Sequence, residues 1–268
     1  MSATDKHHIV ATAKQVLSNA KRVSNQLSNG ALDMLFPPTC LACDAPTMHA
    51  NALCASCWSD LTHISKPYCP VLGVPFAADL GSQVISAQAI ASPPHYARAR
   101  SAVLYDDVAR QLVGHLKYRD RLEMAKFCGQ LMFNAGSDFW GEPCVLVPVP
   151  LHWRRRLSRR YNQSQLLADE IGKLSGSAIQ PNWLKRRRDT KRQVGLSSKV
   201  REQNVRGAFI VTDDFLSQYE GQRIVIIDDV VTTGATIDAI ARAFRSKYRD
   251  KIDVLSFARV VTGPIGAI

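Results

Sequence analysis

Two kinds of apolar run alternate along the later part of this chain. The first kind is continuous: Cys144-Val145-Leu146-Val147 and Ile224-Val225-Ile226-Ile227 carry no alternating polar face. Such runs predict strands buried on both sides in a parallel sheet. The second kind repeats every three or four positions. Val108, Leu112, Val113 and Leu116 form one set; Leu166, Leu167, Ile171 and Leu174 another; Ile237, Ile240, Ala241 and Phe244 a third. That spacing predicts amphipathic helices, and a further helix is expected from about Leu122 to Phe133. Short strands are predicted over Ala102 to Tyr105, up to about Arg187 and through Ile210, the last two separated by a basic loop and a short helix. Ile252 to Val261 is expected to close the sheet. Strands alternating with helices after residue 100 predict an α/β, doubly wound, mostly parallel sheet.

Earlier in the chain the pattern is thinner. Ile9, Ala13, Val16, Ala20, Val23 and Leu27 draw a narrow stripe along one helix, stopped by Asn29-Gly30. The stripe reads either as a docking or dimerising surface or as a helix lying on its own protein. Leu72 to Pro94 is small and apolar and is assigned to a connection. No internal repeat or low-complexity tract is expected.

The run Ile224–Ile227 ends in Asp228 and Asp229, and Thr232, Thr233, Gly234, Ala235 and Thr236 then lead into a helical repeat. Backbone N–H groups at a helix N-terminus after a strand can surround a phosphate. Two carboxylates beside such a cradle would repel the phosphate, so they should face hydroxyls or a metal. The plainer alternative is a buried strand that ends in Asp-Asp before a turn. A Walker loop is excluded, because no Gly-Lys-Ser/Thr follows a glycine-rich turn.

The cysteines add a second chemistry. Cys40-x-x-Cys43 and Cys54-x-x-Cys57 have the spacing of a four-thiolate zinc site. A segment this short cannot build a core alone, so the metal would supply its folding energy; four unligated thiols are the alternative. Cys69 begins half of another pair whose second member is Leu72, and His49 and His63 are spare ligands. Cys128 and Cys144 sit in apolar surroundings and are assigned to the core.

Composition narrows the setting. Across 268 residues the formal net charge is +11, which favours polyanionic partners. No apolar stretch is long enough to span a bilayer, and the polar first thirty residues do not form a secretory signal. Paired C-x-x-C spacing suits a reducing compartment, so a cytoplasmic protein is expected. The densest basic segments are 154–160 and 185–192, each read as either an anion-binding loop or a solvated face. No helix-turn-helix signature surrounds Gly114 or Gly172.

The stretch from Asp228 to Thr236 resembles the phosphoribosyl pyrophosphate (PRPP) loop of type I phosphoribosyltransferases. With the four-cysteine knuckle, the segment Val147 to Ser164 (VPVPLHWRRRLSRRYNQS) and the segment Gln193 to Phe209, the chain resembles the ComF/GntX family of phosphoribosyltransferase-like proteins over about residues 31 to 261. Beside the N-terminal helical extension (1–30) read from its own stripe, the resemblance implies a zinc-binding module with its connection (31–95) and a phosphoribosyltransferase-like domain (96–268). It implies that Asp228 and Asp229 hold the ribose hydroxyls and that Thr232 to Thr236 hold the 5′-phosphate. Arg154, Arg155, Arg156, Arg159 and Arg160 would meet pyrophosphate or DNA, and Arg188 and Arg201 would lie in the catalytic loop. Zinc would be structural, on Cys40, Cys43, Cys54 and Cys57, and Mg²⁺ would accompany PRPP. Members are implicated in natural transformation, which implies handling of incoming single-stranded DNA beside proteins of the uptake machinery. Tyr68, Trp153 and Tyr161 are candidate base-stacking partners. The alternative is an enzyme that moves ribose 5-phosphate from PRPP to an acceptor the sequence does not specify. Leu72 departs from the family pattern, where many members carry a cysteine.

Overall fold

A computed structural model describes residues 37–79, 81, 84–118, 122–151, 161–187, 207–244 and 246–261. The helix predicted over residues 9 to 27 lies outside them. The chain divides into two compact units, Met1–Cys54 and Ala55–Ile268.

In the first unit, the described residues form a tight knuckle. A bridge joins Thr39 to Pro46, the N–H of Cys40 donates to the carbonyl of Ala45 at 2.7 Å, and Asp44 takes a positive φ of 59° at the turn.

The second unit opens with two short helices, α1 (Ala55–Asp60) and α2 (Ala87–Ala91). The regular α/β part follows: β1 (Arg98–Leu104), α3 (Asp107–Tyr118), α4 (Leu122–Ala135), β2 (Cys144–Pro148), α5 (Gln163–Ser175) and β3 (Ala178–Ile179). Then come β4 (Leu184–Arg186), β5 (Phe209–Val211), α6 (Asp213–Gln218), β6 (Arg223–Val231), α7 (Ala235–Ala243) and β7 (Ile252–Arg259). Five strands make one parallel sheet in the order β1-β7-β6-β2-β3. The doubly wound α/β class predicted from the sequence is the fold observed.

Strand β6 is interior, and Ile224, Val225, Ile226 and Ile227 are each fully buried. Its alternate positions serve two layers. Ile224 and Ile226 join Val145, Val147, Ile252 and Val254 in a core shared with α7 and the residues around Cys69 and Trp183. On the other layer α4 and α5 pack against each other, α4 on β1 and β7, α5 on β2 and β6. Each fully buried aliphatic side chain contributes about 1.5–3 kcal/mol, so the sheet is a rigid base for whatever leaves its C-terminal edge.

Three sequence expectations are corrected. Ile252 to Arg259 does not close the sheet; it lies between β1 and β6. Its buried Asp253 is accommodated there because Arg98 at 2.6 Å and Arg223 at 3.3 Å pair with it. Strands β4 and β5 are not in the parallel sheet but pair antiparallel with each other. The run Leu184-Lys185-Arg186 buries its first residue and exposes its second, the alternation of a half-covered strand rather than an interior one. Finally, the supposed connection after Leu72 is built: it contains a knuckle at Cys69–Val74 and the helix α2.

Candidate functional site

Asp228 and Asp229 lie three and two residues before the end of β6, not after it. Pairing on the β7 side continues through Val230–Ala258 and Val231–Arg259, whereas the pairing with β2 stops at Pro148–Ile227. Beyond Pro148 the neighbouring ladder ends, as proline at a strand terminus favours, and the two carboxylates occupy the opening. Ligands of open α/β sheets bind at such carboxyl ends of strands.

Each carboxylate has defined partners. Oδ1 of Asp228 accepts from the Ser164 hydroxyl at 3.2 Å and from the N–H of Asp229 at 2.9 Å. Oδ1 of Asp229 accepts from the N–H of Val230 at 2.7 Å, and its Oδ2 is 2.7 Å from Nζ of Lys117. Burial first, and the adjacent Asp229 charge second, push the Asp228 carboxyl up to about 7, against the lowering pull of the Asp229 N–H, Lys117 and Ser164. Among the described residues Lys117 is the cation beside the two adjacent carboxylates, and one of them holds its proton near neutrality.

The loop that follows turns on Gly234, whose φ of 78° is left-handed. There glycine is favoured because a Cβ would be strained. Gly234 is also the residue before the first turn of α7. Residues 232 to 236 are all half-exposed, so the loop faces outward. Behind it Ile237, Ile240, Ala241 and Phe244 are buried, as their spacing predicted, and they hold the helix in place.

Of the residues flanking the two basic segments, those around the first lie beside this site. Residues 152–160 and 188–206 are outside the described residues, and with them Arg154, Arg155, Arg156, Arg159, Arg160, Arg188, Arg201 and Trp153. The first loop departs from β2, adjacent to β6, and the chain returns at Asn162, whose Nδ2 donates to the Val149 carbonyl at 3.0 Å. Buried Gln163 and Ser164 follow, and Ser164 reaches Asp228. The second basic segment lies between β4 and β5, which pair antiparallel with each other outside the parallel sheet. Of the remaining stacking candidates, Tyr161 is 49% exposed, whereas Tyr68 has the Arg100 guanidinium 4.7 Å from its ring centre.

Lys117 and Ser164 are the site residues that sequence reasoning missed. A lysine in the last turn of a helix reads as a partner for the helix dipole, which hides its pairing with a distant strand. Ser164 stands in the quoted VPVPLHWRRRLSRRYNQS segment, where a small hydroxyl in a first helical turn was its one signal.

At the other predicted centre the sulfur atoms of Cys40, Cys43, Cys54 and Cys57 all lie within 4.8 Å of one another. Those of Cys43 and Cys54 are 3.7 Å apart, matching the edge of about 3.8 Å of a tetrahedron with Zn–S bonds of about 2.3 Å. Cys40 is fully buried. Burial raises its pKa, but N–H groups of Cys43, Cys54 and Ala42 together with the Cys43 thiol outweigh it and hold it below the usual thiol value. The donor set fits a structural zinc ion. The His63 ring lies tilted at 50° against Trp58, centroids 4.9 Å apart, while Cys128 and Cys144 are buried as predicted.

Residues 31–89 match the double zinc ribbon domain and residues 184–262 the phosphoribosyl transferase domain. The chain is 30% identical to the DNA utilization protein YhgH of Salmonella typhimurium over 78% of its own length and 91% of that protein. It is 27% identical to Competence protein F of Haemophilus influenzae over the same shares. Competence protein ComFC of Bacillus subtilis is 27% identical over 82% of this chain and 94% of that one.

Proposed function

Because the chain belongs to the ComF/GntX family, the phosphoribosyltransferase-like competence and DNA utilization proteins with an N-terminal zinc-binding module, we propose that it binds PRPP at the end of β6 and acts in the cytoplasmic handling of incoming single-stranded DNA. The observation that carries the first part is the juxtaposition of Asp228 and Asp229 with the Gly234 turn, at the edge where the β2–β6 ladder stops. In this reading the two carboxylates accept hydrogen bonds from the ribose 2′- and 3′-hydroxyls, and the amides of Thr232 to Thr236 take the 5′-phosphate. Arg154 to Arg160 meet the pyrophosphate or the DNA backbone, with Arg188 and Arg201 contributing further positive charge. Mg²⁺ would supply charge neutralisation to the pyrophosphate oxygens, and carboxylate oxygens of the Asp pair are donors of the hard type it accepts. The second part rests on the names of the relatives and on the net charge of +11.

Isothermal titration with PRPP and Mg²⁺ tests the ligand. Charge-assisted hydrogen bonds contribute about 1.5–3 kcal/mol, so Asp229→Asn should weaken binding roughly ten- to a hundredfold at about 1.4 kcal/mol per decade. Equal affinities would remove the ribose clamp. The same variant in a transformation assay links the ligand to DNA uptake. Acceptor-dependent pyrophosphate release by the wild type would replace ligand sensing with phosphoribosyl transfer.

A further inference from the structure

The chain contains the zinc knuckle twice, and the second copy has no metal-binding set. In the first copy, Thr39 bridges Pro46, and in the second Tyr68 bridges Pro75. The Cys40 N–H donates to Ala45 O at 2.7 Å, and the Cys69 N–H to Val74 O at 2.8 Å. The Asp44 N–H returns to Cys40 O at 3.1 Å, and the Gly73 N–H to Cys69 O at 2.8 Å. The Thr47 N–H reaches Pro38 O at 2.8 Å, and the Phe76 N–H reaches Pro67 O at 2.9 Å. The turn residues match as well, with φ of 59° at Asp44 and 67° at Gly73.

The correspondence extends to the second half of the ribbon. The N–H of Cys54 donates to the Cys40 sulfur at 3.3 Å, and the N–H of Ser86 to the Cys69 sulfur at 3.4 Å. A helix starts at the next residue in each case, Ala55 and Ala87. Cys40, Cys43, Cys54 and Cys57 therefore align with Cys69, Leu72, Ser86 and Ala89. Of these four only Cys69 is a zinc ligand by type; Leu72 and Ala89 have no donor atom.

We infer that residues 67–91 are a metal-free second ribbon, in which packing on the sheet replaces the zinc ion, so that the whole chain holds one zinc rather than two. The replacement can be seen residue by residue. Leu72 and Ala89 are 6% and 5% exposed and belong to the same apolar core as Phe76, Tyr96 and Ala99. The Ala99 N–H of β1 donates to Val71 O at 2.8 Å, and Arg100 Nη1 donates to Pro70 O at 2.9 Å. A Cβ at Gly73 would stand 2.4 Å from the Ala99 carbonyl, so backbone meets backbone there. The lone Cys69 sulfur is satisfied without metal: the N–H of Leu72 and both the N–H and hydroxyl of Ser86 donate to it, each at 3.4 Å.

Metal content of the full chain tests this, read as zinc equivalents per folded chain. The wild type should hold one equivalent, and the variant L72C/S86C/A89C should hold two. Cobalt substitution in that variant should double the thiolate-to-metal charge-transfer band. Two equivalents in the wild type, or one in a folded triple variant, would overturn the inference. Hydrogen exchange on the wild type covers the case in which the triple variant does not fold. After chelation, the amides of Cys40, Asp44 and Thr47 should lose protection while those of Cys69, Gly73 and Phe76 keep it. Loss of protection in both sets together would also overturn it.

Discussion

Nζ of Lys117 stands 2.7 Å from Oδ2 of Asp229, with side chains only 22% and 15% exposed. The last turn of α3 is thereby tied to the end of β6, and the acidic pair has its cation before any ligand arrives. Asp229 is thus largely shielded from solvent and already ion-paired. An ion pair so placed lies between the exposed kind, worth about 0–1 kcal/mol, and the buried kind, whose breakage costs about 3–5 kcal/mol. Lys117→Met should destabilise the protein by about 2 kcal/mol. In a double-mutant cycle with Asp229→Asn, urea unfolding should give a coupling above about 0.5 kcal/mol, the level at which non-interacting sites already add. Additive effects would mean that the pair does not contribute to stability.

This pair also marks the limit of what could be read from the sequence. The buried run Ile224–Ile227, the acidic pair and the helix spacing of Ile237 to Phe244 are local patterns, and local patterns are what a sequence displays. The four-thiolate centre was legible for the same reason, since its ligands fall in two short pairs. Lys117, Ser164 and the interior place of β7 depend on which strands pair, and no periodicity encodes that. The second ribbon was hidden differently. Its backbone hydrogen bonds match the first ribbon's, but three of its four ligand positions carry no cysteine, and Leu72 and Ala89 pass as ordinary core.

Asp228 should make stability depend on pH in a definite direction. Its carboxyl is raised from 3.8 to about 7 in the folded protein, so the native state holds a proton that the unfolded state has released. The stability this proton contributes is fully present below the unfolded value. It is lost as pH rises towards 7, by at most about 1.4 kcal/mol per pH unit. Comparing wild type with Asp228→Asn at pH 5, 6, 7 and 8 cancels the pH dependence of the zinc centre. The difference should move in favour of the variant as pH rises to 7 and then level off; a constant difference would show that Asp228 does not titrate in this range.

Removing one thiolate should remove the zinc. Cys54→Ser leaves three sulfurs and also disturbs the N–H of residue 54, which bonds to Cys40 at 3.3 Å. Metal analysis should give less than a tenth of an equivalent at micromolar free zinc, because structural zinc binding is also folding energy. The β6 sheet should remain folded, as its core is fully buried without help from the metal. Loss of the whole thermal transition in this variant would contradict that independence.

Binding of single-stranded DNA should weaken steeply with salt. Contacts to phosphate release counterions, giving a slope of about −0.7 per phosphate neutralised on a single strand. If Arg155 and Arg156 each contact one phosphate, R155A/R156A should make the slope of log affinity against log salt shallower by about 1.4. Fluorescence anisotropy with a labelled oligonucleotide at several salt concentrations measures it. An unchanged slope would assign these arginines to PRPP alone.

Gly234 separates the shape of the phosphate loop from its charge. Its φ is 78° and a Cβ built on it would meet no atom within 4 Å, so Gly234→Ala adds backbone strain without a clash. The expected cost is about 1–2 kcal/mol. Gly176, after the last turn of α5, has φ 71° and equally open surroundings, which makes Gly176→Ala a matched control. Both variants should lose similar stability in urea. Only Gly234→Ala should lose affinity for PRPP, by roughly tenfold, because relaxing its φ turns the amides of residues 234 to 236 away from a common point. Equal PRPP affinities in the two variants would mean that this loop does not hold the 5′-phosphate, whatever the Asp pair does. A loss in Gly234→Ala alone, with the Asp229→Asn effect intact, would establish the loop and the carboxylates as separate halves of one ligand site.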